Sequence, residues 1–163
     1  MQIDIKQYNP DEHDKYKCLT VKQPYADLLT SSIFTDSEGV SHAAKTIEVR
    51  SRNTNYRGEL LICSAAKPEL YGHLCGVTCG FVELYDTKPV EDFSESDWAA
   101  TCIPEGKRPK AGYGWLMRNP RRVIEMPMKG QLGFYSLVVP KGDLTEYPRY
   151  VMIGEREFKR MTK

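Results

Sequence analysis

Lys45-Thr46-Ile47-Glu48-Val49-Arg50, running on through Ser51-Arg52 to Tyr56-Arg57-Gly58-Glu59-Leu60, is the stretch that decides how this chain folds. Ile47 and Val49 fall on one strand face, and Thr46, Glu48, Arg50 and Arg52 on the other, the period-two pattern of a half-buried β-strand with a charged side. Lys45 shares the parity of Ile47 and Val49, so it is expected at the mouth of the fold rather than in bulk water. Residues 53–58 supply turn formers, and residues 60–66 are apolar on both faces, as a central strand requires.

Working towards the N-terminus, residues 30–44 are rich in Ser, Thr and Gly and show no periodicity, which predicts a surface loop. Before them Pro24 can open a helix at its first turn, with Tyr25, Leu28 and Leu29 spaced as one apolar face. Residues 18–22 read as a short strand, and residues 1–16 as a polar, mobile leader. Towards the C-terminus, residues 75–85 read as a strand whose one face carries Cys75, Val77, Cys79 and Phe81. Ser94 with Asp97 three places on, and Phe93 with Trp98, give the cap and staple of a brief helix. Residues 103–112 hold too many breakers for a regular element, and strands are predicted at 113–117, 122–128 and 133–139. Many short strands with two or three short helices and no strand–helix alternation predict a mixed, mainly β (α+β) fold, a small closed or partly closed barrel over residues 17–140. Residues 141–163 are expected to pack on it as an extension, with a last strand near Tyr150-Val151-Met152-Ile153 and a basic tail.

Of 163 residues 28% are charged and 40% hydrophobic, ordinary values for a globular protein. No apolar run reaches membrane-spanning length and the polar start lacks a signal-peptide core, so a cytoplasmic protein without a membrane partner is expected. The five cysteines include no Cys-x-x-Cys pair and read as reduced core thiols. His73, Cys75 and Cys79 do not make a zinc site if they lie on a strand, where Cys75 and Cys79 would be about 13 Å apart. Walker, Gly-x-Gly-x-x-Gly and His-Glu-x-x-His motifs are missing, which predicts no cofactor and no metal. Net charge is +1, but between residues 45 and 67 Lys45, Arg50, Arg52, Arg57 and Lys67 face only Glu48 and Glu59. Such a cluster is either a solvated face or a limited phosphate-contacting patch.

Three segments in order resemble the activating-signal-cointegrator homology (ASCH) family. Residues 19–26, with Gln23-Pro24 and the aromatic Tyr25, resemble its opening strand and helix. Lys45, Glu48 and Arg50, followed by the Arg57-Gly58 turn, resemble its Gly-x-Lys-x-x-Glu-x-Arg signature, with Ala43 standing where the family has glycine. Residues 119–130, ending Pro127-Met128-Lys129-Gly130, resemble its closing strand. The resemblance implies a PUA-like barrel with a cleft that binds RNA or another nucleic acid. It also leaves open a metal-free hydrolase, since related small members are amidohydrolases acting on an acetylated cytidine and others have been proposed as ribonucleases.

The expected nucleic-acid-binding residues are Gln23, Tyr25, Lys45, Glu48, Arg50, Arg52 and Arg57. Glu48 and Arg50, two apart on one face, are about 7 Å apart at their α-carbons and can share a ligand or form an ion pair. Arg50 offers a planar fork to a phosphate or base edge. Tyr25 is the first choice for base stacking, ahead of Tyr56, Tyr113 and Trp115, and Gln23 can read a base edge or cap the helix. If the cleft is catalytic, Lys45 and Glu48 are the acid–base pair; Glu48 stands where the amidohydrolases carry a threonine nucleophile, while Thr46 is retained. A third possibility is a protein-interaction domain whose basic face docks an acidic partner. Oligomeric state is not legible.

Overall fold

The computed structural model describes residues 2–147. In chain order the elements are β1 (His13–Val21), α1 (Tyr25–Thr30), β2 (Ser32–Thr35), β3 (Ser41–Ala43), β4 (Ile47–Arg50), β5 (Gly58–Ser64), β6 (Thr78–Pro89), α2 (Glu95–Thr101), β7 (Tyr113–Arg122) and β8 (Phe134–Pro140). Six strands form one sheet in the order β4-β7-β6-β5-β1-β8, with only β1 and β5 parallel. β5 is central and buried from Leu60 through Ser64, as its apolar run predicts.

The sheet curls but does not close. Strands near its opposite edges face each other through side chains: the rings of Trp115 on β7 and Phe134 on β8 lie 5.6 Å apart. Arg50 Nη2 on β4 donates to the Thr20 carbonyl on β1 at 2.9 Å. No ladder joins β4 to β8, so the predicted barrel is realised as a curled sheet with a gap. The reason is local: β4 has only four residues, all paired with β7, and across the gap a guanidinium spans what a backbone pair would otherwise fill.

Period two splits the core across the sheet. Leu19, Val21, Leu60, Ile62, Val82, Leu84, Trp115 and Met117 pack under α1 through Ala26 and Leu29. Cys18, Leu61, Cys63, Phe81, Leu137 and Val139 form the other face, closed by Val123, Met128 and Leu144. α2 starts as its sequence predicts: Ser94 and Asp97 form a reciprocal capping box, and the Phe93 and Trp98 rings meet at 4.8 Å. Among the described residues no helix is long and apolar enough to cross a membrane.

Several predicted elements differ. Residues 32–43 are a hairpin, not a loop; the Asp36 carboxylate accepts from the Glu38 and Val40 amides and shapes its turn, and Gly39 takes a φ of 81°. β1 begins at His13, ahead of the expected start, and Ile3 bridges Val138. These polar residues are held by backbone pairing to apolar β8, which side-chain periodicity does not report. The strand expected at 75–85 is Thr78–Pro89, because Cys75 and Gly76 lie in the loop before it, bent at Gly76 with a φ of 70°. β7 runs unbroken through Pro120 to Arg122, its register shifts against β6 accommodating Asn119 at φ 55°. Residues beyond Val123 make isolated bridges instead of the expected strand. The last predicted strand near Tyr150 and the basic tail lie outside the described residues.

Candidate functional site

The gap left by the open sheet holds a cavity of about 490 Å³. Its walls come from Thr20, Val21 and Lys22 on and after β1, Tyr25 on α1, Lys45 with Glu48 to Ser51 along β4, and the Gln131-Leu132-Gly133 loop before β8. Tyr25, Lys45, Glu48 and Arg50 are therefore brought together.

Lys45 is 1% exposed. Its backbone is pinned by α1, the Lys45 amide donating to the Leu28 carbonyl at 3.2 Å, and the next amide, Thr46, donates to Ala100 on α2. The Lys45 ammonium donates to the carbonyls of Ile47 at 2.7 Å and Thr101 at 2.6 Å, and meets Glu48 Oε1 at 3.4 Å. Thr101 is the last residue of α2, so its carbonyl has no partner within the helix, and Lys45 supplies one. The Tyr25 ring lies 4.9 Å from Nζ. Burial pushes the Lys45 ammonium below the ordinary lysine value, and Glu48 opposes the shift. An ammonium has three protons, and these three acceptors account for them.

Glu48 is 9% exposed and is clamped from both sides. Its Oε1 faces Lys45, while Oε2 accepts from Arg50 Nε at 3.1 Å and lies 3.0 Å from Nη2 as an ion pair. Arg50 Nη2 also donates to Thr20, and its guanidinium carbon lies 5.9 Å from the Trp115 ring centre. The fork is thus locked in plane with Nη1 outside those bonds. Lys22, Lys45 and Arg50 against Glu48 leave two net formal positive charges in the cavity wall. Polar partners at this depth have little freedom to reorganise, so the arrangement is rigid.

The other expected residues lie elsewhere. Gln23 is buried, its amide donating to the Leu74 carbonyl at 2.8 Å and its oxygen accepting from the Asp27 amide; it ties α1 to the loop before β6. Arg52 is exposed outside the cavity, and its carbonyl accepts from Trp115 Nε1 at 3.1 Å. Arg57 is exposed and bonded to the carbonyls of Thr54 and Tyr56 and to Thr87 Oγ1. Thr46 lines a smaller cavity of about 280 Å³ with His42 and Arg118. Trp115 is buried core, as its stripe suggests.

Lys22, Thr20 and the 131–133 loop also line the cavity, and the sequence motifs do not mark them. Leu132 is fully exposed at the mouth, and the Gly130 and Gly133 punctuation around it was the one signal available in the sequence. Among the described residues no group of His, Cys, Asp and Glu could hold a metal. His73 instead meets Asp27 Oδ2 at 2.7 Å. Cys75 is half-buried in the loop before β6, not in the core as expected, whereas Cys79 is buried and its thiol pushed up to about 12 by that burial.

The sequence profile described as the ASCH domain matches residues 37–130, which takes in the Lys45, Glu48 and Arg50 signature and the segment ending at Gly130. No curated protein matches the chain. ASCH and PUA-like domains are generally linked to RNA binding. With its signature residues gathered at the gap of a curled sheet and more than half its length within the match, the chain belongs to the ASCH domain family.

Proposed function

We propose that the gap cavity binds single-stranded nucleic acid, RNA foremost, by taking a nucleotide between Arg50 and Tyr25. The observation that carries this is the locked guanidinium: Glu48 and Thr20 hold Arg50 flat in a cavity of about 490 Å³, with Nη1 outside those bonds. That volume lies within the usual range for small-ligand pockets. A pre-set planar fork loses little freedom when it meets a phosphate or a base edge, and Tyr25 offers a face on which a base can stack. Binding is favoured over hydrolysis because Lys45 and Glu48 would have to release their partners before moving a proton.

The test is titration of a labelled mixed-sequence RNA octamer across a salt series, with wild type and Arg50→Ala. The log of the binding constant is expected to fall against log salt with a slope magnitude of about 0.7 per phosphate contact. Arg50→Ala is expected to weaken binding about tenfold, equivalent to about 1.4 kcal/mol, the scale of one charge-assisted hydrogen bond. A flat salt response with unchanged affinity in the variant would overturn the reading.

A further inference from the structure

β1 and β5 run parallel from the pair Cys18 and Leu61 to the pair Val21 and Ser64. Both strands extend beyond the first of these pairs, β1 back to His13 and β5 back to Gly58, yet the ladder stops. The sheet forks there, wedged by the Tyr16 and Phe81 rings at 5.3 Å. The fork opens a cleft of about 430 Å³ whose walls include Lys15, Lys17, Tyr56, Glu59 and Ser136.

Lys15 and Lys17 are exposed and two apart, so their side chains leave the same side of β1. The Lys17 ammonium lies 4.1 Å from the Tyr56 ring centre and 4.9 Å from that of Phe134, and Lys15 lies 4.7 Å from that of Tyr8. Glu59, the acid in the wall, is engaged by Arg121 at 2.6 Å.

The fork and the gap are joined by the same strand pair. β1 passes from Thr20 in the gap to Lys17 in the fork, and β8 runs alongside it from Phe134, paired with Leu19, to Ser136, paired with Lys17. Three residues of strand span about 10 Å. An unbroken series of ring contacts covers the same interval: Tyr56 to Phe134 at 5.5 Å, Phe134 to Trp115 at 5.6 Å, and Arg50 at 5.9 Å from Trp115.

We propose that the fork is a second nucleotide subsite, in which Lys15 and Lys17 take phosphates of the same single strand and Tyr56 takes the adjoining base. This rests on the reading of the gap as a nucleic-acid site and extends it from one nucleotide to a short strand. Cations alternating with ring faces match the phosphate–base repeat of a single strand, whereas an acidic peptide would leave Tyr56 without a planar partner.

The experiment compares mixed-sequence RNA of two and eight nucleotides binding to the full chain and to Lys15→Ala/Lys17→Ala. These exposed changes leave both core faces intact, which a thermal melt verifies. The octamer is expected to bind the double variant about tenfold more weakly than wild type, with the salt slope reduced by about 1.4 for two lost contacts, while dinucleotide affinity stays the same. Octamer affinity and slope equal to wild type would overturn the subsite and leave the gap reading standing. Equal losses for both lengths would place the lysines at the first site, also overturning it. Binding of an acidic peptide by wild type that the double variant loses, with octamer affinity the same in both, would assign the fork to protein instead. Absence of RNA binding by wild type would overturn both readings.

Discussion

Lys45 joins three parts of the molecule through one atom: the end of α2 at Thr101, the start of β4 at Ile47, and Glu48. Removing it leaves two carbonyls and a carboxylate short of donors in a site 1% exposed, and stranding one side of a buried ion pair costs about 3–5 kcal/mol. Lys45→Met, which keeps the length of the side chain, should therefore lower unfolding free energy by about 3 kcal/mol in urea titration. A loss below about 1 kcal/mol would contradict a role for Lys45 in holding α2 to β4. That its side chain turns inward agrees with its parity in the sequence. The depth of Glu48 does not, because alternation assigns it to the outward face. Alternation describes one strand, and Glu48 is covered by residues from across the gap, Tyr25 and Thr20 among its neighbours in the cavity wall.

At the scale of elements, α1 is held against β7 and the loop before β6 by Asp27. Its carboxylate accepts from His73 at 2.7 Å and from Arg122 Nη1 at 2.7 Å, and Arg122 also reaches Thr30 and Glu125. Burial alone would raise the Asp27 carboxyl, but the hydrogen bonds from His73 and Arg122 outweigh it and hold the group below its ordinary 3.8. Between the lowered folded value and the unfolded one, the unfolded chain binds more protons, so stability rises with pH there. The contribution of Asp27 is complete above about pH 4 and is lost as pH falls through the folded value. Asp27→Asn should thus destabilise the protein in urea titrations at about pH 7, with the difference from wild type shrinking as pH is lowered below about 4; a difference that stays constant across that range would remove this linkage. Elements that show in the sequence are those whose side chains carry the signal, such as β5 with its apolar run and α2 with its capping box. The hairpin Ser32–Ala43 is hidden because its strands pair mainly with each other and leave Ile33, Phe34 and Val40 exposed. The early half of β1 is hidden because β8 supplies the apolar residues of that pair.

For the whole molecule, the function proposed here follows from an incomplete closure. A six-stranded sheet curled enough to bring Trp115 against Phe134, yet with a four-residue edge strand, leaves a gap that its own signature residues line. The ordered motifs of the sequence pointed to the family, and the strand count to a small closed or partly closed barrel. Neither could show the gap, since which edges approach each other depends on twist and strand length across the sheet. With a net charge of only +1, attraction to nucleic acid cannot come from the global field and must reside in local groups such as Arg50, Lys22 and the lysines of the fork. The most direct measurement is therefore positional: photocrosslinking of a 4-thiouridine-bearing RNA octamer to the full chain, followed by peptide mapping. Crosslinks should fall on Tyr25 and on the loop 131–133 at the mouth of the gap. Crosslinks confined to the β2–β3 hairpin or to α2 would contradict the account.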